Sequence, residues 1–348
     1  MDPANPPRDS APVGPSSGSR AWLKRALPLI LFALSIVATA VLITQRGEDL
    51  ELLRTLDVPA VLLLVVMQAI YLVVQSGRFH VVLVKLADRR VGFWPWLQLF
   101  VLGRFLNLFV PQAGNVYRGV ELKRRFEVGY TRFVAAFVNA PWVAMVLNFA
   151  LGAVVVALWQ PGARVGEWPL GLLLGVATIA TALGPFAVSL LLPLLPRRFR
   201  ALAWLHARLA EMLRVTLASL RDGAYIMRVV AWTLAAFVQA VAMLWICFVA
   251  IGVDVGLAEA VAFYVLLQLA TYVAITPGNL GIQELAFAGL ATGMGAGAVE
   301  GVVVSGLVRV TGVIALLALA LPLGGVEALR ASRRAPAIAL RVPARSEP

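Results

Sequence analysis

Long apolar runs alternate with short polar and basic stretches along most of the chain. Six of these runs have about 20 residues or more, which is enough to cross a bilayer as an α-helix. Two further apolar segments are interrupted by proline and glycine. The pattern therefore predicts an all-α polytopic membrane protein with about six spanning helices and two broken segments. The predicted spans are residues 26–44, 58–77, 133–159, 169–195, 229–252 and 301–323, and the broken segments are 93–110 and 258–298.

The two interruptions share one arrangement. Each ends an apolar run with proline and glycine and places a charged residue seven positions after the proline: Arg118 in the first and Glu284 in the second. Lipid cannot satisfy the freed backbone groups, so such breaks must face protein or a water-filled cavity. Matched breaks in two halves predict a binding site built from broken helices. The breaks contain Pro111 and Gly114, and Pro277, Gly278 and Gly281.

Composition agrees with a membrane protein, since 61% of residues are hydrophobic and only 14% are charged, against about 25% in soluble domains. The net charge of +12 does not indicate nucleic acid as a partner, because lysine and arginine lie in loops beside the apolar runs. This placement is typical of membrane topology. The expected partners of the basic surface are the anionic headgroups of membrane lipids.

Charge placement also predicts topology. The connections rich in lysine and arginine are expected in the cytoplasm, together with both termini, in a bacterial-type inner membrane. Both ends of the first broken segment then lie on the cytoplasmic face, and both ends of the second lie on the opposite face. Two re-entrant hairpins in an inverted repeat follow; the alternative is that one or both broken segments cross fully. The basic connections are 1–25, 78–90, 118–132, 197–228 and the tail from Arg330.

The chain is expected to form one membrane domain between two tails. Residues 197–228 combine leucines at helical spacing with charged residues, which predicts an amphipathic interfacial helix. The proposed organisation is a disordered tail at 1–20, a transmembrane domain at 21–328 with halves 21–196 and 229–328, and a basic tail at 329–348.

Charged residues within apolar segments cost at least a few kcal/mol and are candidates for function. They are Arg104, Glu284 and Arg309, with Arg118 at the edge of the first break. Glu284 and Arg309 could form a structural ion pair. Alternatively, Arg309 or Arg118 binds an anionic headgroup and Glu284 acts as a counter-charge. The helix starts near Asn115 and Gly281 would favour phosphate, and Asn115 and Asn279 are further candidate binding residues.

Motifs for catalysis or metal binding are not found. The sequence has no HExxH, GxSxG or CxxC motif, and its one cysteine and two histidines lie far apart. We therefore expect neither an enzyme nor a cofactor or metal ion.

The two breaks resemble the signatures of a known family. The stretch from Asn107 to Arg118 (NLFVPQAGNVYR) and the stretch from Pro277 to Glu284 (PGNLGIQE) are similar to those of the lysylphosphatidylglycerol synthase transmembrane region, or flippase-like domain, and Arg309 falls where that family has an arginine. The resemblance covers about residues 24–328. It implies movement of an anionic or modified phospholipid, or an isoprenoid-phosphate lipid, between leaflets.

The chain departs from the family pattern in three places. Asn115 stands where the family usually has glycine, and Asn139-Ala140-Pro141 replaces a usual Glu-Arg pair. No aminoacyl-transferase domain is expected after the last helix, so the resemblance implies lipid movement without lipid modification. The alternatives are an ion-coupled transporter of a small anion, or a scaffold for a separate lipid-modifying transferase.

Overall fold

The computed structural model describes residues 57–87, 89–109, 112–194, 200–272 and 282–325, and these residues are almost all helical. In chain order the helices are α1 (Val58–Ala87), α2 (Phe93–Phe109), α3 (Ala113–Phe126), α4 (Tyr130–Trp159), α5 (Leu170–Leu191), α6 (Arg200–Ser219), α7 (Gly223–Ala250), α8 (Leu257–Tyr272), α9 (Ile282–Gly293) and α10 (Ala298–Ala320).

Five of these helices, α1, α4, α5, α7 and α10, are long and apolar enough to cross a membrane. They correspond to five of the six predicted spans, so the predicted all-α polytopic fold is confirmed. The sixth predicted span, at 26–44, lies outside the described residues, as do the two predicted tails. A short antiparallel pair of strands, β1 (Arg164–Val165) and β2 (Trp168–Pro169), connects α4 to α5.

The end of α1 differs most from the prediction. The helix continues ten residues past the expected end at Gly77, so Arg78 and Lys85 are helical and not part of a loop. The extension remains helical because its apolar side chains, among them Val82 and Leu86, are buried against neighbouring helices. The first basic residue after an apolar run therefore did not mark the end of the helix.

Four helices, α2, α3, α8 and α9, are shorter over their described residues than a membrane span. They contain 12 to 17 residues, or about 18–26 Å at 1.5 Å per residue, whereas the hydrocarbon core is about 30 Å thick. α2 and α3 form one helical hairpin, in which the Gly114 N–H donates to Asn107 Oδ1 at 2.7 Å. α8 and α9 form a second hairpin, in which Phe263 and Phe287 stack edge to face.

The order of elements is repeated in the two halves. A long helix, a hairpin and another long helix occur as α1, α2–α3 and α4, and again as α7, α8–α9 and α10. This order is what an inverted repeat requires. Re-entry of the hairpins from opposite faces stays a prediction.

Two buried apolar clusters hold the halves together. One joins α4, α5, α7, α8, α9 and α10, and the other joins α1, α2, α3, α4 and the start of α7. The amphipathic helix α6 lies within the predicted 197–228 connection and packs on α4, where Asn139 Nδ2 donates to Thr216 Oγ1 at 2.8 Å. α7 then begins at Gly223, and the side chain of the preceding Asp222 accepts the Tyr225 N–H as an N-cap.

Candidate functional site

A cavity of about 370 Å³ lies between the two hairpins and the long helices. Its volume falls within the range of about 300–1,000 Å³ that is typical of ligand pockets. We call it the central cavity. It is lined by Gln68, Tyr71, Gln75, Arg78 and Phe79 of α1, Arg104 of α2, Pro141, Ala144 and Asn148 of α4, Ala240, Met243 and Leu244 of α7, Tyr264, Leu267 and Gln268 of α8, Gln283 and Phe287 of α9, and Val308 of α10.

The lining residues come from near the middle of the long helices. Asn148 is close to the centre of the 30-residue α4, and Val308 is close to the centre of the 23-residue α10. The hairpins contribute residues close to their breaks, such as Gln268 and Gln283. The central cavity is thus lined by residues from within the long helices and from both hairpins.

Helix α1 presents a polar face to the central cavity. Its polar residues there lie at positions 68, 71, 75 and 78, a spacing that puts them on one side of a helix. Arg78 donates to Gln75 Oε1 and Gln75 Nε2 donates to Tyr71 Oη, each at 2.5 Å, and Gln68 Nε2 donates to the Val308 carbonyl at 3.0 Å. These bonds fix the side chains, so the polar wall is preformed.

Arg104 brings a second cation to the central cavity. Its side chain is exposed although its neighbours Gly103 and Phe105 are buried, because it projects into the cavity. The guanidinium lies 5.6 Å from the centre of the Phe100 ring and has no hydrogen-bond or ion-pair partner among the described residues. The described lining contains two arginines and no carboxylate, so the cavity is positively charged.

Arg118 occupies a different environment from Arg104. It is only 3% exposed, and it donates to the Gly114 carbonyl at 3.2 Å and to Asn115 Oδ1 at 2.5 Å. Its guanidinium also lies within 6 Å of the Phe100 and Phe137 ring centres. Arg118 and Asn115 do not line the central cavity; they hold the start of α3 against α2.

Glu284 and Arg309 form an ion pair, as the first of the two sequence hypotheses supposed. Arg309 Nη2 and Glu284 Oε1 are 2.5 Å apart, and the side chains are 27% and 11% exposed. The pair joins the first turn of α9 to the middle of α10. Neither residue lines the central cavity, although their sequence neighbours Gln283 and Val308 do.

A second cavity, of about 550 Å³, lies beside the far ends of α8 and α9 and is lined partly by Arg164, Glu259 and Gly293. We call it the outer cavity. Phe263 lines the outer cavity and Phe287 lines the central cavity. Both rings are almost completely buried and their centres are 5.2 Å apart. This ring pair separates the two cavities.

The family model for the lysylphosphatidylglycerol synthase TM region matches residues 29–320. The chain belongs to this family. Comparison with curated proteins and with solved structures gave no match. The matched range includes every described helix, and therefore both hairpins and the central cavity.

In this family member, some of the predicted binding residues line or adjoin the central cavity, and other lining residues were not predicted. Arg104 lies in the central cavity, and Glu284 and Arg309 are brought together beside it. Gly114 lies in the hairpin contact, whereas Pro111, Pro277, Gly278, Asn279 and Gly281 lie outside the described residues. The missed residues are Gln68, Tyr71, Gln75 and Arg78. Their i, i+3, i+7, i+10 spacing within an apolar run was the available signal.

Proposed function

We propose that this family member moves an anionic phospholipid between leaflets, with the headgroup passing through the central cavity. Membership of the lysylphosphatidylglycerol synthase TM region family supports a role in membrane lipid chemistry. The observation that carries the proposal is the charge of the cavity. Arg78 and Arg104 line it and no described lining residue is acidic. Two such charges inside the apolar bundle are costly unless an anion compensates them.

The two arginines have complementary roles in this proposal. Arg78 is held by Gln75, so it provides a fixed positive wall. Arg104 has no partner among the described residues and is available to bind the phosphate with its planar, forked guanidinium. Gln268 and Gln283, from the two arms of the second hairpin, supply amide groups to a headgroup in the same space.

Transport can be tested with protein in vesicles that contain a fluorescent phosphatidylglycerol or phosphatidylcholine. The protein should speed transbilayer movement of the anionic probe more than that of the zwitterionic probe. Arg104→Gln should slow it about tenfold, because a charge-assisted hydrogen bond contributes about 1.5–3 kcal/mol. The matched control is Arg208→Gln on α6, which removes the same charge outside the cavity.

Two results would contradict the proposal. One is no acceleration of any lipid probe by a folded protein, and the other is wild-type movement in Arg104→Gln. Flux of inorganic phosphate or sulfate without lipid movement would support a transporter of a small anion instead. A dependence on α6 but not on the cavity residues would support a scaffold for a partner transferase.

A further inference from the structure

A third cavity, of about 410 Å³, lies between α6 and the end of α5. It shares no lining residue with the central cavity. We call it the α6 groove. It is lined by Leu192, Ala210, Leu213, Arg214, Leu217, Ala218 and Arg221.

No acidic residue in the described part of the chain pairs with the arginines of the α6 groove. Arg214 and Arg221 are both exposed and have no ion-pair or hydrogen-bond partner among the described residues. The two nearest acidic residues in the chain are already paired. Glu211 lies 3.4 Å from Arg208, and Asp222 lies 2.5 Å from Lys85.

The apolar part of the groove lies beside these charges. Leu192, at the end of α5, is buried, and Leu213 and Leu217 of α6 are one helical turn apart. Arg214 lies on α6 and Arg221 lies in the turn just after it, and both line the groove. An apolar channel with two cations at its edge matches an acyl chain with an ionised phosphate at its head.

The surroundings indicate that the groove lies at the membrane surface. α6 is amphipathic and carries the exposed Trp204, a residue typical of the interface. Its hydrogen bond from Asn139 to Thr216 fixes it on α4, so the groove is preformed. A basic pocket between helices at this level suits an anionic lipid.

We infer that the α6 groove is a binding site for one anionic phospholipid, separate from the central cavity and independent of transport. The phosphate lies between Arg214 and Arg221, and the first part of an acyl chain lies along Leu192, Leu213 and Leu217. A bound lipid of this kind would join α5 and α6 and hold the connection between the two halves of the molecule.

The test uses the full chain in phosphatidylcholine vesicles with a small fraction of photoactivatable phosphatidylglycerol, followed by peptide mapping. Label should appear on residues 210–221 and should fall about 30-fold in Arg214→Gln/Arg221→Gln, at about 1 kcal/mol per basic residue. Arg208→Gln, on the same helix, and Arg104→Gln, in the central cavity, should keep it. Arg214→Lys/Arg221→Lys keeps the charge and should retain most of the label.

Three results would overturn the inference. They are equal labelling by a photoactivatable phosphatidylcholine, undiminished labelling in the double glutamine variant, and loss of the label on addition of inorganic phosphate, which would make a soluble anion the ligand. A wild-type thermal unfolding midpoint in the double glutamine variant shows that the variant is folded.

Discussion

The two hairpins are held in place by different contacts. The first, α2–α3, is closed by its own residues: Arg118 and Asn115 bond within α3, Gly114 lies against α2, and the Asn107 side chain accepts a backbone N–H across the turn. The second, α8–α9, is attached to a neighbour, because Glu284 at the start of α9 pairs with Arg309 of α10.

This difference separates structural from functional arginines. In the first hairpin a buried arginine holds the two arms together and an exposed one faces the central cavity. In the second hairpin the charged residue holds the hairpin to a spanning helix, and uncharged amides face the cavity. A positive cavity therefore depends mainly on the first half of the chain, whereas coupling between a hairpin and a spanning helix depends on the second.

The largest effect is expected from Gly114→Ala. A Cβ at position 114 would overlap the Gly103 carbonyl oxygen, and since both groups are backbone, neither can move without opening the hairpin. We expect the free energy of unfolding to fall by about 3 kcal/mol or more. Thermal unfolding of the purified protein would measure it.

Its control lies in the second hairpin. Gly289 has nothing within 4 Å of a Cβ, so Gly289→Ala should leave the midpoint equal or slightly higher because alanine favours helix. Equal destabilisation by the two substitutions would show that the stability of the fold does not depend on the close approach of α2 and α3.

The second effect concerns Glu284 and Arg309. Glu284→Gln or Arg309→Gln alone should lower the free energy of unfolding by about 3 kcal/mol, because each leaves a largely buried charge without its counter-ion. The double variant should lose much less than the sum of the two. A double-mutant cycle on thermal or denaturant unfolding gives the coupling energy. Additive losses would mean that the pair does not attach α9 to α10.

The third effect separates the two arginines of the first hairpin. Arg118→Lys should cost about 1–2 kcal/mol of stability, because lysine cannot keep the two hydrogen bonds of Arg118 and also lie flat between Phe100 and Phe137. Lipid movement per folded molecule should not change. Arg104→Gln should do the opposite, with slower movement and an unchanged midpoint. A lower midpoint in Arg104→Gln than in Arg118→Lys would reverse the assignment.

The smallest effect is expected at the junction of the two halves, where Lys85 pairs with Asp222. The hydrogen bond from Lys85 and the bond from the Tyr225 N–H lower the pKa of Asp222. Because the pKa of Asp222 is lowered, its ionised carboxylate stabilises the folded state at pH values above the ordinary aspartate pKa of about 4. This stabilisation is lost as the pH falls through the pKa of Asp222 in the folded protein. Asp222→Asn, which keeps the N-cap, should therefore have a slightly lower thermal unfolding midpoint than wild type at neutral pH.

The same comparison at low pH supplies the control. The difference in unfolding midpoint between wild type and Asp222→Asn should be constant near neutral pH and should shrink as the pH falls through the lowered pKa of Asp222. A difference that grows on acidification would have the wrong sign for a lowered pKa.

The sequence contained most of the fold because a spanning helix is encoded locally. A run of about 20 apolar residues predicts a helix in lipid whatever its neighbours are, and α4 begins only three residues before its predicted start. The end of α1 could not be placed in this way. Its last ten residues are held by packing against other helices, and a basic residue such as Arg78 marks the interface only on average.

The central cavity was only partly predictable. Its charged residue Arg104 stands out in an apolar run, but nothing local distinguishes it from Arg118, since which side of a short helix faces a cavity is set by tertiary packing. Gln68, Tyr71 and Gln75 are uncharged and are individually unremarkable in a long apolar helix. Their common face becomes a site only when six other helices close around it.

The ring pair of Phe263 and Phe287 has a consequence for ion gradients. Because these buried rings lie between the central and outer cavities, the two cavities are not joined through this part of the second hairpin. Protons and small ions would need a continuous path of water to pass from one cavity to the other. The two stacked phenylalanine rings interrupt this path. Among the residues that the structure describes, these rings thus close one direct path for solvent between the two cavities.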